Sequence, residues 1–116
     1  MIGTLDTQAA EHRYVRDLIE AAGVETVRVD VGTTGDGRGA DVTAEQVAAA
    51  HPDGPDGIFV DDRGKAVTGM TEALVAFMST RDDVAGVLSL GGSGGTALVT
   101  PAMQSLPVGV PKLMVS

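Results

Sequence analysis

The chain has 116 residues, close to the ~100–150 typical of a single domain, so one compact unit is the upper bound. Eight basic against sixteen acidic side chains leave a net charge of −8, which argues against a surface built to neutralise nucleic-acid phosphates or anionic lipid. The absence of cysteine removes disulfides, thiolate catalysis and cysteine-ligated metals together, and two histidines alone cannot supply the usual tetrahedral zinc set.

Strand, turn and helix alternate along the chain. Residues 8–22 predict a helix, with Tyr14, Val15, Leu18, Ile19 and Ala22 at spacings of three and four on one core-facing stripe. Glu11, His12, Arg13, Arg16 and Glu20 fill the other faces, which places His12 at the surface. Gly23 stands where a left-handed C-cap belongs. Residues 26–31 are β-branched and weakly alternating, a short strand ending near Asp30. Residues 32–39 hold four glycines and form a loop. Thr43 and Gln46 have the capping-box spacing, opening a short helix through Ala50 that His51-Pro52 stops. Ile58 to Val60 is a strand fragment or a buried connection. Residues 64–80 predict a longer helix with Val67, Met70, Leu74 and Phe77 facing the core. Residues 84–90 form an apolar run of the kind buried on both faces of a parallel sheet. A glycine cluster follows, then a helix over residues 96–106 that Pro101 restricts or kinks. Lys112–Val115 is the last strand.

Alternating helices and buried strands imply an α/β fold with a parallel sheet covered by helices. In such sheets ligands sit beyond the carboxyl ends of the strands, at the point where the strand order reverses. Residues 3–7 and 91–96 both follow strands and precede helices, so both loops are expected at one crevice. Only two residues precede the first loop and the chain stops as the last strand would deliver its own, so the fold is expected to be truncated at both ends. No apolar run approaches the ~20 residues of a membrane span, and the N-terminus lacks a signal-peptide pattern; a cytoplasmic location is expected.

The glycine cluster invites several chemistries. Gly91, Gly92, Gly94 and Gly95, with Ser93 and Thr96, can turn backbone N–H groups toward a phosphate at a helix N-terminus. Gly92-x-Gly94-x-x-Ala97 fits a loose dinucleotide fingerprint, but that pattern wants an acidic residue about 20 positions on, and none follows Asp83. Gly91-x-Ser93-x-Gly95 matches the nucleophile elbow, yet both histidines lie upstream of the serine. A phosphate-loop lysine motif fails as well, because Ala66 follows Gly64-Lys65. The bland alternative is a tight turn that lets helix and strand pack closely. In the first loop, Asp6 or Thr7 can cap the following helix; Asp6 can instead hold magnesium, directly or through water, or a ribose hydroxyl. Asp30 is a further ribose candidate, against a solvated strand-end acid. His12, His51 and the pairs Asp61-Asp62 and Asp82-Asp83 read as surface or capping residues.

Gly3-Thr4-Leu5-Asp6-Thr7, Val29-Asp30-Val31-Gly32, Leu90-Gly91-Gly92-Ser93-Gly94-Gly95-Thr96 and the tail from Thr100 to Ser116 closely resemble the N-terminal domain of the Tm-one-like ATP-binding family. The resemblance runs nearly the whole chain. It implies a Rossmann-like three-layer fold and a site for ATP with magnesium. Backbone groups of Gly91 through Thr96 would hold phosphate, with Gly3, Thr4, Leu5 and Thr7 beside them and Asp6 or Asp30 on magnesium or ribose. It also implies a second domain absent here, a homo-oligomer of the full-length protein, and protein rather than nucleic-acid or membrane partners, since the plant member binds viral replication proteins. Two other readings remain: an interaction module in which nucleotide is only structural, and part of an enzyme whose catalytic groups lie elsewhere. Gln8 and Ala9 stand where the family commonly has lysine and glycine, which removes one cation from the phosphate site.

Overall fold

The computed structural model describes residues 1–34, 37 and 39–116. Of the glycine-rich loop expected at 32–39, Gly35, Asp36 and Arg38 lie outside the described residues. The elements are β1 (Ile2–Gly3), α1 (Ala9–Ala21), β2 (Val29–Asp30), α2 (Ala44–Ala48), α3 (Arg63–Ser79), β3 (Val87–Leu90), α4 (Ser93–Ser105) and β4 (Lys112–Val115).

The four strands form one parallel sheet in the order β2-β1-β3-β4. Ile2, Val29 and Val87 point to one face and join Val47, Met70, Leu74, Leu98 and Val99 in a single core beneath α2, α3 and α4. Gly3 and Leu90 belong to the other face, where His12 of α1 meets them. Helices on both sides of a parallel sheet make the Rossmann-like three-layer arrangement that the alternating pattern calls for.

The local signals for the middle of the chain hold. Thr43 and Gln46 exchange the two bonds of a capping box (3.2 and 2.8 Å), and Asp62 accepts the Lys65 N–H to start α3. Gly23 takes φ +89° just past the end of α1. Ile58 is a buried connection, not a strand, with Phe59 and Val60 exposed.

Four boundaries or faces differ from the sequence reading. The strand expected at 26–31 pairs only at Val29–Asp30, because β1 offers partners only at Ile2 and Gly3. The strand expected at 84–90 begins at Val87, where β4 begins to pair, and is buried on one face alone: Val87 and Ser89 are covered while Leu88 and Leu90 are half-buried. The last helix starts at Ser93 and runs through Pro101, which gives up one N–H but no turn. On α1 the apolar stripe does not face the core. Tyr14 and Leu18 are 68 % and 56 % exposed, and the one fully buried residue is His12. Among the described residues no helix is long and apolar enough to cross a membrane.

Candidate functional site

β1 is flanked by β2 on one side and β3 on the other. The chain therefore leaves β1 toward one edge, returns across it, and reaches β3 on its far side. The β1–α1 and β3–α4 connections depart to opposite faces from adjacent strands, the arrangement beyond whose carboxyl ends ligands bind in open parallel sheets. The two loops singled out in the sequence are thus the two loops at this switch point.

The β1–α1 loop is a tight turn: Thr7 and Gln8 both donate their N–H to the Thr4 carbonyl (3.0 and 2.8 Å), and the Thr4 and Thr7 hydroxyls lie 2.9 Å apart. Neither Asp6 nor Thr7 caps α1, whose N-cap is Gln8 with no side-chain bond. Leu5 is buried, and its N–H donates to Asp30 Oδ1 (3.0 Å), so that N–H is spent within the fold. Gly3 is a strand residue whose missing Cβ makes room for the His12 ring.

Asp30 is not a solvated strand end. It is 4 % exposed, and Oδ1 accepts a second N–H, that of Gly32 (2.8 Å), so one carboxylate ties the β1–α1 loop to the chain leaving β2. Burial, reinforced by nearby Asp6 and Glu45, raises its pKa above the ordinary carboxylate value against the lowering effect of those two N–H bonds. The charge is therefore disfavoured in the folded state: this group favours folding below the unfolded pKa of 3.8 and ceases to as pH rises through its own. At pH 7, Asp30→Asn keeps an acceptor and sheds the charge, so its stability is expected within about 1 kcal/mol of the parent. Asp30→Ala orphans two N–H groups, at roughly 1–3 kcal/mol each if they stay buried. Urea denaturation of both variants checks this; equal losses would show that the N–H bonds are not what Asp30 contributes.

Asp6 lies beside Asp30. Its Oδ2 accepts the Thr34 hydroxyl (2.9 Å), and its Oδ1 is buried with no hydrogen-bond partner among the described residues. Gly32 has no side chain because the Asp6 carboxyl occupies that space, 2.7 Å from where a Cβ would stand. A buried carboxylate oxygen without a donor suits a hard cation, and magnesium is commonly held by one or two carboxylates with phosphate and water completing the shell. Among the described residues no group of three or more metal-type side chains gathers, so such an ion would depend on its ligand for the remaining oxygens.

On the β3 side, Gly91 and Gly92 form the turn, while Ser93, Gly94, Gly95 and Thr96 are the first turn of α4. Gly92 is the N-cap and brings no side-chain bond to the helix end. A Cβ at Gly92, Gly94 or Gly95 would meet nothing within 4 Å, and none of the three has a positive φ. Neither close packing nor a positive φ calls for glycine at these positions; at Gly92 the N-cap position itself favours it. Ser93 likewise lacks the positive φ of a strained nucleophile elbow.

Two polar side chains near these loops are buried: His12, which the spacing places at the surface, and Arg28, which the pattern does not mark. His12 and Arg28 are 0 % and 3 % exposed; His12 Nε2 sits 3.2 Å from the Leu90 carbonyl, and Arg28 Nη2 donates to the Ala9 carbonyl (3.2 Å). A polar residue on a helix flank carries no periodic signal of burial; only Gly3, the strand residue that makes room for it, hinted at a close approach. By contrast His51 is at the α2–α3 connection, bonded to Glu72 (2.8 Å), and Asp83 pairs with Arg81 (2.7 Å), structural roles as read.

Fold and crevice together define a Rossmann-like α/β domain. The whole chain, residues 1–116, matches the N-terminal domain described as that of uncharacterised protein family UPF0261, and it belongs to that family. It is 47 % identical to a UPF0261 protein of Rhizobium meliloti strain 1021 and 42 % identical to one of Mesorhizobium japonicum, covering all of this chain and 29 % and 30 % of theirs. It is 36 % identical to the ToMV resistance protein Tm-1(GCR237) of Solanum lycopersicum, over 99 % of this chain and 18 % of that protein. The chain thus spans under a third of the length of the curated relatives it matches.

Proposed function

We propose that this chain binds ATP with magnesium in the switch-point crevice. The observation that carries the reading is the bare N-terminus of α4: Gly92, Gly94 and Gly95 are free of steric or conformational need for glycine, yet together they leave main-chain N–H groups open to an anion. Thr4 and Thr7 supply hydroxyls from the opposite loop. An Asp6 carboxylate beside a phosphate needs a shared cation, and Asp6 Oδ1 is the oxygen available for it among the described residues. Asp30, clamped by Leu5 and Gly32, orients the loop in this reading more than it touches ribose.

The test is calorimetric titration with ATP plus magnesium, ATP plus a chelator, and NAD. Binding is expected in the first titration, with at least a tenfold loss in the second and third. Preference for NAD, or binding indifferent to magnesium, would overturn the reading. A second reading, an interaction module, is favoured by the apolar side chains Tyr14, Leu18, Leu113 and Val115, which stand 68, 56, 58 and 47 % exposed. Co-precipitation of a partner that ignores ATP and fails with Leu18→Asp would support it over the first.

A further inference from the structure

α1 is fastened to the sheet by an imidazole. Of its thirteen residues His12 alone is buried, while Tyr14 and Leu18, which could have packed, stand in solvent. The ring fills the space above Gly3, and Nε2 faces the Leu90 carbonyl at 3.2 Å. A carbonyl only accepts, so Nε2 carries the hydrogen and donates it; Nδ1, buried without a partner, is the bare nitrogen of the neutral ring.

We propose that His12 is a pH-sensitive fastening: protonation of its ring at mildly acidic pH releases α1, and with it the loop of residues 4–8, while α3 and α4 stay folded.

A proton on Nδ1 would enter a site with no acceptor for it among the described residues. From the residue preceding β2 the Arg28 guanidinium opposes the new charge; it makes no ion pair among the described residues. Ahead of β1 the Met1 amino group opposes it also, and among the described residues Glu11 on α1 is the carboxylate that favours it. β3 presents only the Leu90 carbonyl. Burial, first, and then Arg28 and Met1 lower the His12 pKa, against the Leu90 carbonyl and Glu11. A released α1 takes the proton near the ordinary 6.5 and a docked one only at lower pH, so docking is at full strength above 6.5 and weakens as pH falls below it. Release stays local because α3 and α4 interlock through Met70, Leu74, Leu98, Val99 and Met103 on the opposite face of the sheet.

The experiment is amide hydrogen exchange on the ligand-free chain at pH 7.5 and 5.5, corrected for intrinsic base catalysis. Opening of α1 is expected to increase by several-fold, up to about tenfold, at pH 5.5, the limit for one linked proton over the unit below 6.5. Amides of α3 and α4 should change less than about twofold. His12→Gln, whose amide N–H can replace Nε2–H on Leu90, should make α1 opening independent of pH. Loss of protection in α1, α3 and α4 together, or a pH dependence that survives His12→Gln, would overturn the proposal. Should that variant not fold, imidazole titration by NMR in the parent chain decides: a His12 pKa at or above 6.5 also overturns it.

Discussion

Gly3→Ala is expected to lower the melting temperature by about 10 °C or more, although it adds a single methyl group to a strand. The added Cβ would fall within the His12 ring, and that ring is 0 % exposed with no room to withdraw unless α1 moves. Overpacking of this kind costs about 1–3 kcal/mol, and displacing the ring also breaks its bond to Leu90, worth about 1 kcal/mol more. In a domain of this size each kcal/mol moves the midpoint by roughly 4–8 °C. The collision is specific to one pair of residues, so the effects should not add: with His12→Ala the same Gly3→Ala change should cost little. A double-mutant cycle in thermal unfolding measures this. Additivity, or a Gly3→Ala variant as stable as its parent, would show that the close packing of Gly3 and His12 does not govern this corner.

The second expectation separates ligand from fold. Gly94→Ala should leave the melting temperature unchanged or slightly raised, because the added Cβ meets nothing and alanine is the better helix former, whereas Gly92→Ala should lower it slightly, since alanine is a poorer N-cap than glycine. The same two changes should weaken ATP-magnesium binding at least tenfold, about 1.4 kcal/mol, since a methyl group would stand where phosphate must approach the backbone. Gly94→Val should be worse for binding than alanine. Matched loss of stability and affinity would return these glycines to a structural role; unchanged affinity would place the anion elsewhere. Gly3 and Gly94 belong to the two adjacent strand-to-helix units, and only Gly3 is filled from behind.

Local rules did well where local forces decide. The capping box at Thr43, the left-handed Gly23 and the strand Lys112–Val115 could be read directly, since a turn, a cap or an apolar run carries its own signal within a few residues. So could the parallel order of elements, and with it the placing of residues 3–7 and 91–96 at the carboxyl ends of adjacent strands, because alternating strands and helices admit few topologies. Strand ends could not be read: residues 26–28 and 84–86 have strand chemistry but lack the paired neighbours that a ladder requires. The face of α1 was misread for a related reason. Periodicity reports which residues share a stripe, whereas burial depends on what the sheet offers opposite, and here it offers a glycine, a carbonyl and an arginine that accommodate His12 rather than Leu18. Asp30 and Asp6 were chosen from the sequence as ligands of a nucleotide. Tertiary structure alone decided that Asp30 spends one oxygen on two main-chain N–H groups while Asp6 keeps a buried oxygen unspent, because both outcomes depend on a loop folding back from β2 over the end of β1.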